Sequence, residues 1–93
     1  MMPGRRRVTA LDAYVSQLPW PAGKAPVVFA WTHGGVGFEV MLRAPVAQGW
    51  HVLAHYTGPT MEGTLRLALG RWLEESGLQG CEELSLGVSR LVN

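Results

Sequence analysis

The sequence predicts an α+β fold: a single domain in α-β-β-β-α order, an antiparallel sheet with helices packed on one face, and a further strand at the C-terminus. Three observations carry this expectation. Pro26 to Tyr56 alternates with a period of two and is rich in Val, Phe, Trp and Tyr, the pattern of strands. Gly34-Gly35 and the segment Ala44 to Gly49 interrupt it as turns, leaving three strands in a meander. The flanking segments 9–18 and 60–76 repeat apolar residues at helical spacing.

Met1 to Arg7 reads as a mobile basic arm ahead of a domain spanning 8–93, because Pro3-Gly4 and Arg5-Arg6-Arg7 do not nucleate structure. Val8, Leu11, Tyr14, Val15 and Leu18 predict a short helix from about Thr9 to Leu18, ended by Pro19-Trp20-Pro21. In the first strand Val27, Phe29, Trp31 and His33 point one way and Val28, Ala30 and Thr32 the other. A two-residue turn at Gly34-Gly35 then sets Trp31 against Phe38, Phe29 against Val40 and Val27 against Leu42. Trp50, Val52, Ala54 and Tyr56 form the apolar side of the third strand.

The expected core face is therefore Val27, Phe29, Trp31, Phe38, Val40, Leu42, Trp50, Val52, Ala54 and Tyr56. The opposite face is expected to show an apolar strip of Val28, Ala30, Met41 and Leu53, rimmed by Glu39, Arg43, His51 and His55. A fully solvated sheet face carries mostly Thr, Lys, Glu and Arg, so this strip predicts a contact surface.

After the sheet, Thr60 is the expected cap of a long helix in which Met61, Leu65, Ala68, Leu69, Trp72 and Leu73 share one arc, and Gly77 stops it. The tail 81–93 fits two patterns: Leu84, Leu86 and Val88 alternate as in a strand, whereas Cys81, Leu84, Val88 and Leu91 suit a helix. Gly87 weighs more against a helix interior than against an edge strand, so a strand is expected.

Ninety-three residues at 47% hydrophobic, with four Trp, suffice for one core. A net charge of +1 with 16% charged residues excludes a strong electrostatic funnel for nucleic acid. The single Cys81 excludes an internal disulfide and suits a reducing, cytoplasmic setting. No apolar run approaches the roughly 20 residues of a membrane span, and no apolar stretch follows the basic start as a signal peptide requires. The absence of Ile and the seven Arg against one Lys fit coding in a GC-rich bacterial or phage genome.

No motif for catalysis, metal or cofactor is complete. His51 and His55 have the H-x3-H spacing of a helical zinc site, but on a strand they lie about 13 Å apart. Glu39 facing His55 is half of an acid-base pair without a nucleophile, and reads as a cross-strand pair. Cys81 lacks a surrounding motif and reads as a small inert residue. The glycines of His33-Gly34-Gly35-Val36-Gly37 run straight into strand pattern, which suits a hairpin turn and not a phosphate cradle.

The α-β-β-β-α order over about Thr9 to Gly77 resembles the topology of double-stranded-RNA-binding domains. That family opens its second helix with lysines, whereas here Thr60-Met61-Glu62-Gly63-Thr64 precedes the first cation, Arg66. The resemblance thus implies a fold and carries no function. The function expected is a non-enzymatic interaction module, a homodimer or the binder of a protein partner. The alternative is a nucleic-acid binder that uses Arg5, Arg6 and Arg7, with Trp31, Trp50 and Tyr56 hidden in the core.

Overall fold

The computed structural model describes residues 9–32, 34–35 and 37–91. The expected arm, with Arg5, Arg6 and Arg7, lies outside the described residues. The order is α1 (Thr9–Ser16), β1 (Val27–Thr32), β2 (Phe38–Val46), β3 (Gly49–Gly58), α2 (Met61–Glu75) and α3 (Glu82–Ser89). The strands form one antiparallel sheet in the order β1-β2-β3, as expected of a meander. The result is a single α+β domain. Among the described residues, no helix is long and apolar enough to cross a membrane.

Helix α2 has the limits its sequence implies. Thr60 takes extended backbone angles, and its hydroxyl oxygen accepts the Gly63 amide at 3.2 Å. At the other end Gly77 adopts φ 76°. Leu78 N–H then donates to Leu73 O at 2.8 Å and Gly77 N–H to Glu74 O at 3.3 Å, the paired bonds of a Schellman stop. Between these ends Leu65, Ala68, Leu69 and Leu73 are buried against the sheet. Each fully buried Leu contributes about 1.5–3 kcal/mol before conformational entropy is subtracted.

The tail is a helix, which corrects the expected strand. Gly87, the residue that argued for a strand, is buried where α3 meets α1. A Cβ there would stand 2.5 Å from Leu18 Cδ2, so glycine permits the close approach. The Gly87 carbonyl, in the last turn of α3, accepts the Tyr14 hydroxyl at 2.7 Å. Propensity is overridden by this contact.

Two register effects decide which sheet face is the core. First, β1 and β2 pair as Val28 with Leu42, Ala30 with Val40 and Thr32 with Phe38, one residue away from the expected register. Five residues, 33–37, separate the last pair instead of two. Gly37 lies close against β3, where a Cβ would stand 2.5 Å from the Gly58 carbonyl oxygen. Second, the β2–β3 register shifts between Leu42, which faces Ala54, and Arg43, which faces Val52, so Leu53 is the extra residue of a bulge.

Each one-residue step turns side chains to the other face. The core consequently contains Val28, Ala30, Val40, Leu42 and Ala54, joined by Val15 of α1, the α2 residues, and Leu84, Val88 and Leu91. Val40, Leu42 and Ala54 were expected there. Tyr56 also packs against the core, and Phe38 is half-buried. Val28 and Ala30, expected on the outer face, are wholly buried. Val27, Phe29, Trp31, Trp50 and Val52, expected in the core, turn to the opposite side.

Candidate interaction face

All three helices contribute to the one core, so the other side of the sheet has no helix over it among the described residues. The molecule measures 36 × 34 × 21 Å. The short dimension matches one helix layer on one sheet.

This open face is built from residues of like parity. Across β1 and β2 the pairs Val27 with Arg43, Phe29 with Met41 and Trp31 with Glu39 present their side chains here. Beyond the bulge, Val52 pairs with Arg43 and Trp50 with Pro45, which brings both onto the same side. The face is internally organised. The Phe29 ring takes the Arg43 guanidinium at 4.5 Å from its centroid and the Trp50 ring edge-on at 5.2 Å. Arg43 Nε donates to Met41 Sδ at 3.0 Å. His55 Nε2 and Glu39 Oε2 are hydrogen-bonded to one another.

That pair is diagonal and not directly cross-strand: the backbone partner of His55 is Met41, and that of Glu39 is Thr57. Trp50 and Val52 remain 48% and 46% exposed. Both are large apolar side chains left in solvent beside the Phe29–Trp50 ring contact.

The expected interface residues therefore divide. Met41, Glu39, Arg43 and His55 lie on the open face. Val28 and Ala30 do not, and Leu53, the bulge residue, is half-buried against the core. The expected apolar strip does not exist, because the longer loop and the bulge dismember it. His51 pairs with Ala44, of opposite parity to Met41, so the two histidines point to opposite sides. Sequence reasoning missed Val27, Phe29, Trp31, Trp50 and Val52 as surface groups. The available signal was that both parities of β1 are apolar, which leaves its face undetermined by pattern alone.

No group of three or more His, Cys, Asp or Glu among the described residues can hold a metal ion. Cys81 is exposed at the start of α3. A cleft beside the start of α2 is lined by Thr57, Gly58, Thr60, Thr64, Arg66 and Leu67, among others. Its most enclosed polar group, the Thr64 hydroxyl, already donates to Thr60 O at 2.5 Å. Compared with known protein families, curated proteins and solved structures, the chain matches none.

Proposed function

We propose that this chain is a non-enzymatic interaction module that docks a protein partner through the open sheet face. One observation carries the reading: an ordered aromatic cluster, Phe29 with Trp50 and Arg43, occupies a sheet face that no described helix covers. Aromatic residues, Met and Arg are the types enriched at protein contacts, and all three occur here. The Glu39–His55 pair supplies a polar border.

A photo-reactive amino acid at Val52, compared with one at Leu67, tests the reading in the protein's native cells. Both positions are exposed, at 46% and 56%, but Leu67 lies on α2, away from the face. Docking predicts a protein crosslink from position 52 and none from position 67. Crosslinking from neither contradicts it.

The corrected position of the aromatics also favours a second reading, single-stranded nucleic acid. Phe29, Trp31 and Trp50 share the open face, where aromatic rings stack bases. Against it, Arg43 is the one cation placed on the face among the described residues, and Glu39 stands nearby on the same strand. A labelled single-stranded oligonucleotide, titrated at two salt concentrations, decides. Salt-sensitive binding lost on removing residues 1–7 supports the use of Arg5, Arg6 and Arg7, and no binding at low salt rejects the reading.

A further inference from the structure

We infer that the partner of the open face is a second copy of this chain, docked sheet to sheet about a two-fold axis, an inference that rests on the docking reading above. The argument begins with charge. The central strand β2 presents Glu39, Met41 and Arg43 in line on the open face: negative, neutral, positive. A partner of a single charge sign would meet one of these groups with a like charge. A second copy answers both.

A two-fold axis crossing the face at Met41, perpendicular to β2, lays the two β2 strands antiparallel over one another. That operation sets Arg43 over the partner's Glu39, and repeats the contact by symmetry. It also brings together the two Phe29 rings, since Phe29 is level with Met41. The alternative axis, along β2, would stack Arg43 on the partner's Arg43 and is electrostatically disfavoured. His55 engages Glu39 and orients its carboxylate, and a carboxylate group can accept from more than one donor.

The area of the face allows this occupant. A standard contact takes roughly 800 Å² from each partner, about one-seventh of this molecule's 5815 Å². One broad side of a body 36 × 34 × 21 Å makes up roughly a fifth of its surface, so the face is large enough by itself. Two sheets stacked about 10 Å apart would form the interior of a helix-sheet-sheet-helix sandwich.

Sedimentation equilibrium of the full chain, with charge exchange at the two β2 positions, tests this. Wild type should form dimers. Glu39→Arg and Arg43→Glu should each weaken the dimer by at least about tenfold. The double exchange should recover most of that loss, because the two positions meet only between copies: within one chain they lie about 13 Å apart along the strand. Circular dichroism confirms that each variant folds, and Val52→Lys gives an independent disruption should either charge variant fail to fold. A double exchange no better than the singles overturns the two-fold arrangement. A wild-type monomer up to about millimolar concentration overturns the second-copy inference. If position 52 still crosslinks a protein of another mass, the docking reading survives that result. If it crosslinks nothing, both fall.

Discussion

Phe29 of β1 and Trp50 of β3 touch edge to face although strand β2 runs between them. The contact bridges the sheet on its open side, and the Arg43 guanidinium lies on the same Phe29 ring. It exists because the bulge at Leu53 turns Trp50 away from the helices. The face is thus held in one arrangement before anything docks on it, which lowers the ordering cost of association.

Trp50→Ala removes this edge contact from a half-exposed position. It should cost the monomer only about 0.5–1.5 kcal/mol, the usual worth of an aromatic pair. Urea unfolding measures it. A loss of 3 kcal/mol or more, on the order of a buried aromatic truncation, would place Trp50 in the core.

Leu53→Lys separates the observed face assignment from a simple alternation. Leu53 packs against the core, so the charged substitution should lower the melting temperature and destabilise the fold by about 1–3 kcal/mol. An unchanged melting temperature would mean that Leu53 faces solvent.

Two glycines should respond oppositely to alanine. Gly70 lies inside α2 with nothing within 4 Å of an added Cβ, so Gly70→Ala should stabilise by up to about 1 kcal/mol. Gly37→Ala drives a Cβ to 2.5 Å from the Gly58 carbonyl oxygen, a backbone atom, and should destabilise by about 1–3 kcal/mol. Thermal melts of the two variants check both signs.

Tyr14→Phe removes the hydroxyl that satisfies the Gly87 carbonyl between α1 and α3. The expected loss is about 0.5–1.5 kcal/mol, with amide exchange rising first in α3. Uniform exchange across all elements would show that this bond does not hold α3 in place.

The parts of this fold that local chemistry determines were legible in the sequence. Thr60 and Gly77 bound α2 because capping and left-handed backbone are properties of a few adjacent residues. The strand order followed from the short connections. What was not legible depended on long-range contacts. Val28 and Ala30 alternate with Val27, Phe29 and Trp31, both sets are apolar, and only the loop length chooses between them. Leu53 carries no mark of a bulge, yet it decides that Trp50 and Val52 leave the core. Gly87 weakens a helix by propensity, and only its contact with Leu18 and Tyr14 explains why a helix forms. Half of the candidate face was therefore anticipated, through Glu39, Met41, Arg43 and His55, and its aromatic half was not.

Sedimentation velocity of three proteins over a range of concentrations tests the central claim most directly. These are the wild type, Val52→Lys and Leu67→Lys, which place a charge at exposed apolar positions on the open face and on the helix layer respectively. Wild type and Leu67→Lys should sediment as the same dimer, and Val52→Lys as a monomer that circular dichroism shows to be folded. Three proteins of one identical mass would contradict contact between copies through the open sheet face.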